Sequence, residues 1–373
     1  MNLDTLHKEV EDLFPKMVEI RRYLHQHPEL SYQEVETPKF IANYLTDLGI
    51  EVRRNVGGRG VVGLLRGAKK GKTIALRADF DALPIQDEKD VPYKSTVPNV
   101  MHACGHDGHT ATLLGVATIL AKYKDQLEGN VVFIHQFGEE LLPGGAKPMI
   151  EDGCLDGVDV IFGTHLQSTL PSGHIFYREG YTMASGDIFE ITISGKGGHG
   201  AAPHDTIDPI VTASQLVVHL QQIVSRNVDP IKSAVLSIGS FHSGEASNVI
   251  PDSAKITGTV RTYDPEIRNL VEETIKQITN AVCMANGATA HIEYTRGYDA
   301  VWNHPKETQY IKTIAQNILG ENKVKEIAPK MGGEDFSYYL QKVPGTFFFT
   351  GAKLADHDKV FPHHHPRFDF DEK

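Results

Sequence analysis

Residues 187–194, DIFEITIS, are strand-like, and the order of elements after them decides the fold. Next come a helical pattern over 207–226, strand-like stretches at 234–242 and 254–263, a helix over 265–285 and a strand over 288–295. That order is β-α-β-β-α-β, the split βαβ arrangement of a ferredoxin-like unit, in the length of an independent small domain.

On either side the pattern differs. Upstream, amphipathic helices fit 3–24 and 33–48, and short apolar runs at 73–79 (TIALRAD), 131–137 (VVFIHQF) and 158–165 (VDVIFGTH) alternate with helical stretches such as 106–123. Downstream, a helix at 306–319 and the apolar run TFFFTG at 346–351 resume it. The expected fold is therefore α/β: a larger domain of residues 1–182 and 296–373, with a mixed, largely parallel sheet flanked by helices, interrupted by a small domain at 183–295. The basic stretch 66–72 (RGAKKGK) reads as a solvated hairpin turn.

Composition narrows the function. The chain has 373 residues, enough for two to three domains at about 150 residues each. Lys and Arg total 37 against 48 Asp and Glu, a formal net charge of −11, which disfavours nucleic acid and anionic membranes as partners. No apolar run approaches the roughly 18–20 residues of a membrane helix, and MNLDTLHKEVEDLF lacks the marks of a secretory signal, so the cytoplasm is the expected location. Cys104, Cys154 and Cys283 are too few and too far apart for a disulfide framework. Histidine is the unusual residue, with 19 copies, six of which cluster around Cys104 and at 363–365.

The stretch 102–109, HACGHDGH, sets Cys104 two residues from His106, with His102 and His109 beside them; thiolate and imidazole together suit zinc. Glu139 and Glu140 come directly after an apolar strand, where open α/β sheets place their ligands. His165 ends another such strand and is expected on the same edge. HHHP at 363–366, before Phe368, reads as an ordered loop. Asp79, closing TIALRAD, and Asp107 are the natural partners behind ligand imidazoles, with Asp81 a weaker candidate that a turn explains equally well. One Cys, three or four His and two Glu exceed the three ligands of a single catalytic zinc and fit two metal ions with a carboxylate to spare, an arrangement for hydrolysis.

In order along the chain, HACGHDGH, the Glu pair, GTH, GKGGHGAAPH, NVIPD, GTVRT, GGEDFSYY and HHPRFDFDE resemble the dinuclear-metal amidohydrolases of N-acyl amino acids, the indole-acetyl-amino-acid hydrolases and related carboxypeptidases, from about Arg21 to Asp371. The resemblance implies Cys104, His106, Glu140, His165 and His364 as ligands, with Cys104 bridging, and Glu139 as general base. It also implies two divalent ions, zinc first, with manganese, cobalt or nickel admitted. It gives His199 to the oxyanion, Asn248 and Arg261 to the substrate's carbonyl and carboxylate, and Gly333 to a loop closing the pocket. The inserted domain becomes a dimerisation or lid domain, and the expected assembly is a homodimer or higher homo-oligomer. One departure is HQFGEE before the base, where relatives carry a Pro-Ala pair.

The expected reaction is hydrolysis of the amide bond of an N-acyl amino acid or short peptide. Two rivals stand beside it: an aminopeptidase or dipeptidase of the same fold, and a non-catalytic binder of a small acylated ligand. A pure binder has no need of a spare carboxylate at Glu139.

Overall fold

Four strands, Lys69–Asp79, Glu128–Gln136, Val160–Pro171 and Gly345–Lys353, lie parallel at the centre of an eight-stranded sheet in the computed structural model, which describes residues 3–373. Their apolar runs put Ala75, Phe133, Ile134, Ile161, Phe347 and Phe349 fully out of solvent. Parallel strands carry helices on their faces, so such continuous runs are what the arrangement requires. Each buried Phe or Ile contributes about 1.5–3 kcal/mol over leaving it exposed. Antiparallel Glu51–Val56 and Gly60–Arg66 extend one side of the sheet; Ile175–Tyr177 and Val324–Glu326 extend the other.

The parallel strands bring their C-terminal ends to one edge. Lys69–Asp79 ends at Asp79, and Glu128–Gln136 ends three residues before Glu139. His165 does not end its strand, contrary to expectation. The Val160–Pro171 strand pairs with Lys69–Asp79 only as far as Gly163 and then continues along Gly345–Lys353. By the same register His165 stands level with Asp79, where its shorter neighbour ends. The 66–72 stretch is also not a hairpin: Lys69–Lys72 already belongs to a strand, which pairs with Glu128–Gln136 and not with Gly60–Arg66.

The helix His106–Lys122 starts at this edge. Gly105 before it has φ +94°, a conformation that side-chain-bearing residues rarely adopt. Gly108 allows close packing: a Cβ there would stand 2.6 Å from both Leu166 Cδ1 and Phe370 Cζ.

Two compact units result. One holds the residues up to Thr182, Trp302–Pro329 and Asp335–Lys373; the other holds Met183–Val301 and Lys330–Glu334. The second unit contains a four-stranded antiparallel sheet in the order Ala234–His242, Ser253–Thr262, Ser185–Ser194, Thr289–Arg296. With helices Pro209–Gln222 and Pro265–Ala285, the chain order is β-α-β-β-α-β. Ser185–Ser194 turns Phe189, Ile191 and Ile193 onto Leu216, Leu220, Val271 and Ile275. Both helices begin alike, with Asp208 or Asp264 accepting from the backbone N–H of Ile210 or Glu266 at 2.8 Å and a proline next. Such a cap is worth about 1 kcal/mol. No helix among the described residues is long and apolar enough to cross a membrane.

Candidate metal centre

Cys104, His106, Glu139, Glu140, His165 and His364 all meet in the first unit, at the edge of its parallel sheet. Their ligand atoms form overlapping groups of three, each within 4.8 Å: Cys104, His106 and His165; Cys104, Glu140 and His364; His106, Glu139 and Glu140. Cys104 belongs to two of them. Its Sγ lies 3.4 Å from His165 Nε2. Glu140 Oε1 faces His364 Nε2 at 3.2 Å and His106 Nε2 at 3.8 Å.

Hydrogen bonds on the far side of the rings fix which nitrogen is bare. His106 Nδ1 meets the Asp81 carbonyl oxygen at 3.0 Å and Asp81 Oδ1 at 3.1 Å, and His165 Nδ1 meets the Leu166 carbonyl oxygen at 2.6 Å. A carbonyl oxygen only accepts, so Nδ1 carries a proton in both rings, and in the neutral ring Nε2 presents a lone pair to the cluster. His106 Nε2 is buried and has no hydrogen bond of its own. Buried polar atoms are rarely left so, and a cation among these donors is the partner they fit. Burial, then the charges of Glu140, Glu139 and Asp79, pushes the Cys104 thiol well above its usual range, so a thiolate here needs positive charge at hand.

His109 is different. Its Nδ1 lies 2.6 Å from Asp79 Oδ1, and its Nε2 accepts from the backbone N–H of Leu166 at 2.9 Å. Both ring nitrogens are engaged, so His109 braces the strand residue after His165 and offers no lone pair to an ion. Burial alone would raise the Asp79 carboxyl; His106, Arg77 and His109 reverse this and hold it well below the usual range. Arg77 then links outward, Nη1 to Asp79 Oδ2 at 2.6 Å and Nη2 to Asp335 Oδ1 at 2.9 Å.

The expectation for Asp107 needs correction. It backs no ligand imidazole; its Oδ2 receives Arg21 Nε at 2.9 Å and His25 Nδ1 at 2.7 Å. Asp81, the weaker candidate, is the carboxylate that contacts the His106 ring. Besides His106, it accepts from the Glu140 backbone N–H at 3.0 Å and the Ser31 hydroxyl at 2.6 Å, so it ties two candidate ligands together. Glu34 accepts from the Gly138 N–H at 3.0 Å and anchors the approach to Glu139, itself buried. Nothing in the local pattern around Ser31 or Glu34 signals these contacts.

His199, Asn248, Arg261 and Gly333 lie in the second unit. A short antiparallel pairing sets Val249 opposite His199, and the Gly200 N–H donates to the Asn248 carbonyl oxygen at 2.8 Å, so His199 and Asn248 are neighbours. The Ala201 N–H donates to His199 Nδ1 at 3.0 Å, which leaves the ring proton on Nε2 of an exposed side chain. Arg261 hydrogen-bonds only to backbone oxygens of Val260, at 3.1 Å, and Asp187, and forms no ion pair among the described residues. Gly333 is exposed in the segment that packs on Ala184 through Lys330 and Gly332.

Residues 75–373 match the family described as Peptidase family M20/M25/M40. The chain belongs to that family. Among its relatives, the amidohydrolase-named YhaA of Bacillus subtilis (strain 168) is 54% identical over 377 residues, covering 100% of this chain and 95% of YhaA. The N-acetyl-L-cysteine deacetylase of the same strain is 42% identical over 372 residues, covering 100% of this chain and 86% of the relative. The crystal structure of the Bacillus subtilis YXEP protein, described as a dinuclear metal binding peptidase from the M20 family, superposes with a TM-score of 0.82 at 37% identity, covering 97% of this chain and 94% of that one. The chain is a hydrolase of the M20 amidohydrolase and peptidase family.

Proposed function

We propose that this M20 hydrolase cleaves the amide bond of an N-acyl amino acid, with two divalent ions held by Cys104, His106, Glu140, His165 and His364. The observation that carries the reading is the pair of ligand triads that share Cys104, with Glu139 beside them as a carboxylate outside both. When bound, the ions supply a water acidic enough to deprotonate at neutral pH and polarise the scissile carbonyl. Zinc suits the thiolate and imidazoles; manganese, cobalt and nickel suit the imidazole and carboxylate part of the set.

Glu139 takes the proton of the attacking water and returns it to the leaving amine. Asp81 keeps the His106 ring turned with Nε2 bare, and His165 is held likewise by Leu166. By resemblance, His199 stabilises the oxyanion, and its Nε2–H is the donor that role requires. Arg261, free of any carboxylate partner among the described residues, takes the substrate carboxylate by its bidentate fork, with Asn248 on the carbonyl and Gly333 in the closing loop. The 183–295 domain serves as lid and dimerisation domain in a homodimer. Its Ala234–His242 strand pairs on one side only, and Ile210, Val211 and Val218 are exposed.

The relative named as an N-acetyl-L-cysteine deacetylase supports the acyl reading. The YXEP neighbour, described as a peptidase, favours a second reading in which a short peptide is the substrate. A panel of acetyl, benzoyl, indole-acetyl and dipeptide substrates separates them. Release of free amino acid from acylated substrates but not from dipeptides is expected; the opposite preference contradicts the acyl reading, and no turnover on any of them favours a binder.

A further inference from the structure

A buried charge cluster of the first unit lies apart from the proposed ligand set, yet it is fastened to two pieces of chain that carry it. At its centre is Arg21, on the helix Leu3–Gln26 and only 2% exposed. Each nitrogen of its guanidinium has a different acid: Nε meets Asp107 Oδ2 at 2.9 Å, Nη2 meets Asp369 Oδ1 at 2.8 Å, and Nη1 meets Glu372 Oε1 at 3.1 Å. The Phe370 and Tyr93 rings stack on the guanidinium, with centroids at 4.4 and 4.7 Å, and the Tyr93 hydroxyl donates to Asp369 Oδ2 at 2.7 Å. His25 adds a 2.7 Å bond to Asp107, and Lys89 donates to the Phe368 carbonyl oxygen at 2.9 Å.

Both ends of this clamp adjoin ligands. Asp107 is the residue next to His106 at the start of its helix. Asp369 lies five residues after His364, and between them Phe368 is packed with Met101 and Ala103. His364 itself is weakly held. Its side chain is 52% exposed, its φ is +64°, and its N–H donates to the Ala103 carbonyl oxygen at 2.8 Å. A non-glycine residue keeps a left-handed conformation only where the surroundings impose it.

We propose that Arg21 is a positioning residue for the metal centre: by clamping Asp107 to Asp369 it fixes His364 against the Cys104–Glu140 side of the cluster and so sets the affinity of the ion that His364 helps to hold. This rests on the two-ion reading above. A fork bonded to separate acids in fixed directions is what arginine supplies and lysine does not.

The test measures ion stoichiometry and affinity, with Zn²⁺ and with Co²⁺ as a spectroscopic probe, on folded wild type, Arg21→Lys, Arg21→Met and Tyr93→Phe, with His364→Ala as the reference for loss of that one ion. Arg21→Met is expected to bind one ion as wild type does and the other about 10–100-fold more weakly, with the Co²⁺ absorption of the second equivalent lost as in His364→Ala. Arg21→Lys and Tyr93→Phe should weaken the same ion by less. If Arg21→Met does not fold, these two milder variants decide. Folded Arg21→Lys and Tyr93→Phe that hold both ions at wild-type affinity, or that weaken both ions equally, overturn the proposal. Wild type that binds no ion overturns the two-ion reading instead.

Discussion

Asp81 holds His106 through two oxygens, its carbonyl at 3.0 Å and its carboxylate at 3.1 Å from Nδ1, and with its second carboxylate oxygen it also takes the backbone N–H of Glu140. One side chain thereby sets the tautomer of one proposed ligand and the place of another. Asp81→Ala should therefore lower metal affinity by about 10–100-fold while the chain remains folded. Titration of the metal-free protein with Zn²⁺ against a competing chelator measures it. Unchanged affinity would show that Asp81 is only a turn residue.

The two adjacent glutamates should part company when each is changed. Glu139→Gln is expected to keep its full complement of ions and lose about 10²–10⁴-fold in kcat. Glu140→Gln should lose ions as well as rate. Metal analysis beside steady-state kinetics on both variants gives the answer, and a Glu139→Gln enzyme with wild-type kcat refutes the assignment of the base.

In the second unit, His199→Ala should reduce kcat by about 10²–10³-fold, the usual cost of one oxyanion donor. Arg261→Lys, which keeps the charge but loses the fork, should act mainly on KM. Neither change should alter metal content, because both residues lie outside the ligand set. An Arg261→Lys enzyme with unchanged KM for an N-acyl amino acid removes Arg261 from substrate binding.

Acid stability offers a check on the buried network around His25. Burial alone would raise Asp87, but the His25 ring, the Ser95 N–H and the Lys89 ammonium outweigh it and bring its carboxyl down to about 2. A carboxylate depressed in the folded state adds stability that is fully present above its unfolded pKa, near 4, and is lost as pH falls towards 2. Asp87→Asn should flatten that part of the stability profile by on the order of 1–2 kcal/mol. Urea unfolding of wild type and variant at matched pH values reads the difference; parallel profiles between pH 4 and 2 would contradict it.

Much of this is legible in the chain. The β-α-β-β-α-β order of the second unit comes from strand and helix spacing. The convergence of Cys104, the Glu pair and His165 comes from parallel strands that share one edge. Asp107 departs from expectation for a geometric reason: successive residues on a helix are turned by about 100°, so the neighbour of a ligand faces elsewhere. His109, three residues on from His106, returns to the same side, and the two rings stack at 5.4 Å. The strand through His165 outruns its expected end because only one of its neighbours stops there. The choice of His364 over His363 and His365 rests on resemblance, since three successive histidines carry no period. The contacts of Ser31, Glu34 and Arg21 join segments far apart in sequence, and local pattern carries no trace of them.

The central claim is that catalysis depends on two ions in the Cys104–His106–Glu140–His165–His364 cluster. Purified protein should be stripped with chelator, titrated with Zn²⁺, and assayed for release of free amino acid from an N-acetyl amino acid at each step. No turnover is expected in the stripped protein, and activity should rise with occupancy to a plateau at two ions per chain. Full turnover in metal-free protein would contradict it.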